Sequence, residues 1–332
     1  MRRFSWLLAL AVFSSCAPSP VLERAQRDTE TTGGETTTTS ATVGPPPSFL
    51  ITPSRVFVRI DVARIRASPL GPDISSAIRS TQSWQTYAGS SGIDPIESFD
   101  AIVIGADAVY ANRRTILLRH TQTDAQVRDA ILRMSVARGG APTWTDVEGL
   151  AVAEPPQALP VPHSVVLSAT HEVVLTPSDD VTRVATIAHE QGTHRTLPDQ
   201  AIDPSLAFGV NEIIVAHVNE PPPRRAGWPE MPQRYDVWVT EDPATHGVEV
   251  RFHGDFDTPE HCHASREYVA QQAAYYASQM LVRAAGLNHP LDALVMTEQG
   301  TALDGHTSLT VEEVRRALGA MALMQMSGGA PP

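Results

Sequence analysis

Two stretches of this chain repeat one order of secondary-structure elements, and this repeat constrains the fold more than any other feature of the sequence. Residues 99–134 and 235–280 each predict a strand, a turn, a second strand and then a helix. Strands joined by a short turn pair in antiparallel fashion, and the following helix packs on the sheet. We therefore expect an α+β fold, a mainly antiparallel sheet with packed helices. The repeat has two possible explanations: the chain consists of two related halves, or it is a single fold that uses a common unit twice.

The other elements are predicted from the spacing of apolar residues and from capping residues. Strands are expected at 55–61, 99–105, 115–119, 144–153, 164–169, 172–176, 213–218, 235–240, 247–252 and 291–296. Helices are expected from Gly71 to a glycine stop at residues 89–92, from Thr123, from Ser178, from Pro259 to about Gly286, and from Thr310. A proline-containing segment near 198–204 separates a first α+β half, residues 53–200, from a second half, residues 205–326.

The first sixteen residues predict an export signal. Arg2 and Arg3 form a basic start, residues 4–13 are an apolar run, and residues 14–16 are small. At 1.5 Å per residue the apolar run covers about 15 Å, half of the ~30 Å hydrocarbon core of a bilayer. We therefore expect residues 1–15 to be a cleaved signal peptide.

The end of this signal, Val12-Phe13-Ser14-Ser15-Cys16, resembles the lipobox of bacterial lipoproteins. The resemblance covers about sixteen residues and implies that Cys16 carries diacylglycerol and, after cleavage, an acylated amino group, which anchors the chain to a membrane. Phe13 stands where the pattern prefers leucine, so ordinary cleavage after Ala17 is the alternative. Alanine rather than aspartate at position 17 implies the outer membrane of a Gram-negative cell.

The segment from Cys16 to residue 52 predicts a tether. It is rich in threonine and proline and has no periodic apolar face. A flexible chain of about 35 residues has a root-mean-square span of roughly 30–35 Å. The folded part is therefore expected to stand clear of the membrane.

The charge of the chain and its basic residues exclude several classes of function. The net charge is -12, which disfavours binding to a phosphate backbone, so nucleic acid is not an expected partner. All 25 basic residues counted as lysine or arginine are arginine. Without lysine the chain has neither a GxxxxGK[ST] phosphate loop nor a Schiff-base lysine. No glycine-rich dinucleotide motif and no GxSxG motif is present, and no cofactor is predicted.

Two histidine-containing segments contain potential metal ligands. His189 and His194 nearly match HExxH, but five residues rather than four separate them, and Gly192 breaks the helix between them. The second segment holds a dense group of potential ligands, His253, Asp255, Asp257, Glu260, His261, Cys262 and His263. Capping of the long helix by Asp257 or Thr258 explains most of this group. No metal site is predicted.

The candidate for a contact with a partner is the loop at residues 221–229. It combines three consecutive prolines with Arg224, Arg225 and Trp228, a composition that suits recognition by another envelope protein. The sequence as a whole predicts a lipid-anchored, exported envelope protein with a non-catalytic binding or structural role. The alternatives are an envelope hydrolase with a site that no motif describes, and a carrier of an apolar ligand.

Overall fold

The computed structural model describes residues 55–81, 84–85, 88–108, 113–155, 162–167, 171–193, 211–221 and 229–327. The expected signal peptide, Cys16 and the tether lie outside the described residues. So do Arg224, Arg225, Trp228 and the segment at 198–204. Among the helices of the described residues, none has the length and apolar character needed to cross a bilayer.

The described residues form one twelve-stranded antiparallel sheet with packed helices, which confirms the predicted α+β class. The strands are β1 (Val56–Asp61), β2 (Phe99–Ala106), β3 (Arg114–His120), β4 (Thr143–Val147), β5 (Leu150–Glu154), β6 (His163–Leu167), β7 (Glu172–Pro177), β8 (Glu212–Val218), β9 (Arg234–Glu241), β10 (Val248–Asp255), β11 (Val295–Gln299) and β12 (Ala302–Leu309).

Eight α-helices lie within the described residues. They are α1 (Val62–Ala67), α2 (Gly71–Ser80), α3 (Asp124–Ala137), α4 (Val181–Thr193), α5 (Pro259–Ser278), α6 (Met280–Ala284), α7 (Asn288–Asp292) and α8 (Val311–Ser327). Predicted caps are confirmed where a side chain replaces a missing backbone partner. Thr123 and Gln126 form a capping box at α3, Thr258 caps α5, and Thr310 and Glu313 hydrogen-bond reciprocally at the start of α8.

The sheet continues through both halves of the chain, because β1 pairs with β8 at its centre. From this centre outwards the first half runs β1, β2, β3, β7, β6, and the second half runs β8, β9, β10, β12, β11. β5 and β4 extend the first half beyond β6, so that β4 and β11 are the two edge strands.

The two faces of the sheet are covered differently. One face, which we call the helix-rich face, carries Val58 and Ile60 and packs against α1, α2, α3, α5 and α8. The other, the α4 face, carries Val103, Leu117 and Val174 and packs against α4 in the first half. The helix that follows β12 packs on the helix-rich face instead. In the second half the α4 face therefore exposes polar side chains such as Arg251 and His306.

Four predicted boundaries are wrong for local reasons. Residues 144–153 form a hairpin rather than one strand, because Glu148 and Gly149 both adopt positive φ, as a two-residue turn requires. The long helix ends at Ser278, and α6 follows after Gln279. The predicted strand at 291–296 begins as α7, and β12 was missed. The helix from Gly71 ends at Ser80, short of the predicted glycine stop.

A candidate ligand-binding site on the sheet

A row of directly opposite residues crosses ten strands on the α4 face. Each residue pairs with the next across neighbouring strands, or lies beside it in register. The row consists of Ser164, Thr176, Thr115, Gly105, Phe57, His217, Asp236, His253, Asp304 and Thr297. Apart from Gly105 and Phe57 all members are polar, and they pass from full burial at Ser164 to exposure at Thr297.

The buried part of this row in the second half is an imidazole–carboxylate pair. His217 Nδ1 donates to an oxygen of Asp236, and the side chains are only 5% and 7% exposed. Arg234 Nη2 donates to the second oxygen of Asp236 at 3.2 Å. Both carboxylate oxygens are therefore satisfied, as a buried charge requires.

The exposed part of the row places one histidine between two carboxylates. His253 Nδ1 lies 2.8 Å from Asp304 Oδ1, and Nε2 lies 3.1 Å from Asp255 Oδ1. Burial opposes the charged imidazolium, but the hydrogen bonds and negative charges of Asp304 and Asp255 outweigh it and raise the pKa of His253. The arrangement holds Asp304 in a fixed orientation at the surface.

A second row of opposite residues runs beside the first. It consists of Trp238, Arg251, His306 and Val295 on β9, β10, β12 and β11. We call the region formed by Trp238, Arg251, His253, Asp304 and His306 the open surface. It is the part of the α4 face in the second half where polar side chains remain exposed.

The open surface contains a pocket of about 310 Å³, at the lower end of the size range of small-molecule sites. Its lining is of mixed chemistry: Glu212, Trp238, Arg251, Phe252, Thr297, Asp304, Gly305 and His306. Both charge signs, the hydroxyl of Thr297, the imidazole of His306 and the ring of Trp238 therefore meet in one concavity.

The cation in this pocket is already paired with acids. Arg251 Nη2 lies 3.3 Å from Glu212 Oε1, and Nε lies 3.8 Å from Glu249 Oε2. The guanidinium carbon also lies 6.0 Å from the centre of the Trp238 ring, at the outer limit for a cation–π contact. These contacts limit the freedom of the side chain and leave Nη1 without a protein partner within the described residues.

The dense group at 253–263 is dispersed by the fold. His253 lies on the open surface, whereas His261 pairs with Asp257 at 2.6 Å at the start of α5. His263 Nδ1 lies 3.1 Å from Glu298 Oε1, and the same contact raises the pKa of His263. Cys262 is fully buried among apolar residues of the helix-rich face, and this burial raises the pKa of its thiol. Within the described part of the chain no three potential ligands are arranged to hold a metal ion.

The near-HExxH segment is only partly described. His189 is exposed on α4, and His194 lies outside the described residues. Of the residues of the open surface, only His253 belongs to a group that the sequence marks as potential ligands. A signal was present in the spacing: Trp238 follows Asp236, His253 follows Arg251, and His306 follows Asp304, each by two residues. A strand places such residues on one face.

Comparisons with known proteins give no family. No family model matches the chain, and no curated protein matches it. Two solved structures are similar, crystal forms I and IV of TP0453, each at 10% sequence identity. The first covers 84% of this chain and 98% of its own, with a TM-score of 0.45. The second covers 83% and 97%, with a TM-score of 0.47. Similarity at this level assigns no function to this chain.

Proposed function

We propose that this chain is an exported protein anchored to the cell envelope, in the outer membrane, by lipid on Cys16. Its folded part has a non-catalytic role and binds a polar ligand of the envelope at the open surface. The observation that carries the binding role is the pocket of about 310 Å³ in which side chains from β8, β9, β10, β11 and β12 converge. Residues from five strands in one concavity form a rigid, preformed site.

The pairing of the ionisable groups favours binding over catalysis. Asp304 pairs with His253, and Arg251 pairs with Glu212. These pairs hold the side chains in place and occupy the groups that a reaction would use. A hydrolase is the second candidate, because an imidazolium held between Asp255 and Asp304 is a potential proton donor. The charged lining of the pocket does not favour the third candidate, a carrier of an apolar ligand.

The identical order of strands supports a relation between the two halves. Counting outwards from the centre, β1, β2, β3, β7 and β6 correspond to β8, β9, β10, β12 and β11. In this correspondence α3 matches α5, and both pack on the helix-rich face. We propose that the halves arose by duplication and that the α4 face of the second half, which no helix of the described residues covers as α4 covers the first half, became the binding surface.

Lipid attachment is tested by labelling growing cells with an alkyne fatty acid. The full-length protein should be labelled, and Cys16→Ser should abolish the label. Cys262→Ser is the matched control, because it removes the other cysteine of the chain and should leave the label unchanged. A labelled Cys16→Ser protein contradicts the anchor.

The binding role is tested by photo-cross-linking in native envelopes. A benzophenone amino acid replaces Thr297, which is exposed at the rim of the pocket, in the full-length chain. We expect a covalent adduct that does not form when the same amino acid replaces Val136, which is 59% exposed on α3. The absence of an adduct at position 297 contradicts the proposed binding surface.

A protein partner is examined in the same membranes. The loop with Arg224, Arg225 and Trp228 is the proposed contact for an envelope protein, as its sequence suggests. Chemical cross-linking of the native membranes should join this chain to that protein. Deletion of residues 221–229 should remove this cross-link and leave the adduct formed at position 297 intact. If the deletion also abolishes the adduct at position 297, the proposal that the loop and the open surface are separate contact surfaces is contradicted.

A further inference from the structure

We infer that the ligand of the open surface is a neutral saccharide, bound in the pocket beside Trp238, Arg251, Asp304 and His306. This inference rests on the proposed function, since it names the class of ligand for the same site. The paired charges of the pocket, its unused hydrogen-bonding groups and the backbone pairing around it support this class of ligand.

Every charged side chain of the pocket is already paired with one of opposite charge. Glu212 and Glu249 surround the guanidinium of Arg251, and His253 lies against Asp304. An anionic ligand would have to displace Glu212 or Glu249 from Arg251, and a cationic ligand would have to compete with Arg251 or His253 for the same carboxylates. A neutral ligand leaves every pair in place and avoids the desolvation of an additional charge.

The pocket nevertheless offers hydrogen-bonding groups of both kinds. Arg251 Nη1, the hydroxyl of Thr297 and the ring of His306 form no hydrogen bond within the described residues. Asp304 Oδ1 accepts from His253, which leaves Oδ2 as an acceptor toward solvent. A sugar hydroxyl both donates and accepts, so adjacent hydroxyls match a surface on which donors and acceptors alternate. Groups fixed by ion pairs also lose little entropy on binding.

Trp238 gives this pocket an apolar wall. Its ring is partly buried against the apolar cluster beneath α4 and also lines the pocket. An aromatic ring held in this way packs against the C–H groups of a pyranose while hydroxyls at the ring edge reach the polar side chains. The combination of one apolar wall with polar groups opposite suits a sugar ring better than a fully polar ion.

The backbone around the pocket does not favour a peptide. β10 pairs with β9 on one side and with β12 on the other, and β12 also pairs with β11. The backbone groups of β9, β10 and β12 are used within the sheet, so a peptide could add a strand only at the outer edge of β11, the edge strand. The volume of about 310 Å³ suits one or two sugar rings rather than an extended segment.

The inference is tested with the full-length lipidated protein in detergent, on an array that presents neutral saccharides, acidic saccharides and peptides. We expect binding to at least one neutral saccharide and weakening by about tenfold or more in Arg251→Gln and in His306→Gln, because each variant loses a hydrogen-bonding group. Arg79→Gln is the matched control: Arg79 pairs with Asp94 on the surface of α2 and should not affect binding. The bound saccharide should also prevent formation of the Thr297 adduct in envelopes.

Three results would overturn the inference. The first is binding to peptides or acidic saccharides alone, and the second is binding to no member of the array while the Thr297 adduct still forms. The third is neutral-saccharide binding that Arg251→Gln and His306→Gln leave unchanged, which would place the site elsewhere. In the first two cases an adduct at Thr297 leaves the proposed binding role intact, whereas the absence of any adduct rejects that role itself.

Discussion

His217 on β8 and Asp236 on β9 lie directly opposite each other, and the imidazole donates a hydrogen bond to the carboxylate in the sheet interior. Asp236 is in turn opposite His253 on β10, which is bound to Asp304 at the pocket. The buried pair thus lies in the same row as the open surface. The register that pairs Asp236 with His253 and His253 with Asp304 also sets the positions of the pocket residues.

Removal of the Asp236 carboxylate should destabilise the fold strongly. Asp236→Ala leaves His217 and Arg234 without their buried acceptor, and breaking a buried pair in this way costs about 3–5 kcal/mol. The free energy of unfolding is measured by urea titration. Asp129→Ala is the control, because Asp129 forms an exposed pair with Arg133 and should change stability by no more than about 1 kcal/mol. Equal effects of the two variants would contradict the prediction.

His253 should make stability depend on pH. Its pKa is raised on folding, so the stability it contributes is fully present below its ordinary pKa of 6.5 and is lost as the pH rises through the folded-state value. The difference in unfolding free energy between the wild type and His253→Gln should therefore shrink from about pH 6 upward. The pKa of His263 is raised as well, so His263 also contributes to the pH dependence. As a control, His263→Gln is introduced into both the wild type and the His253→Gln variant, and the difference between these two proteins should stay the same. A difference that grows with pH would reject the assignment.

Gly305 should be intolerant of a side chain. A Cβ at this position would overlap the ring of Phe252 on the neighbouring strand. Gly305→Ala should therefore cost about 1–3 kcal/mol of stability, and Phe252→Leu in the same chain should recover part of the loss. Gly319→Ala on α8 is the control: no atom lies within 4 Å of its Cβ position, and alanine favours the helix by about 0.5–1 kcal/mol. Additive effects of Gly305→Ala and Phe252→Leu would contradict the overlap.

Cys262 should be unreactive in the folded protein. Its side chain is fully buried, and burial followed by the charge of Glu298 raises the pKa of its thiol. Titration with a thiol reagent should detect no free thiol in the native lipidated chain and one in urea. A native Cys262→Ser protein that still shows a reactive thiol would indicate that Cys16 carries no lipid. Rapid reaction of Cys262 in a folded Cys16→Ser protein would reject its burial.

Local features of the fold could be predicted because their causes are local. The alternation of Val56, Val58 and Ile60 specified a strand, and Thr123 and Thr310 specified helix starts because their hydroxyl oxygens accept hydrogen bonds from backbone N–H groups of the first turn. The predicted element boundaries were wrong where the conformation of one or two residues ended an element, as in the turn within residues 144–153. The turn at Glu148 needs positive φ in a residue type that rarely adopts it, and the sequence carries no usual signal for it.

The site shows the same division. The sequence by itself determined which residues share a strand face, as with Asp236 and Trp238, since side chains alternate along any strand. It also fixed the charge of the chain and the absence of lysine. Only the tertiary structure decided that Asp236, His253 and Asp304 stand in one row, because register between strands is set by the packing of the whole sheet. The same packing places α4 over the first half, whereas no helix of the described residues covers the pocket on the corresponding face of the second half.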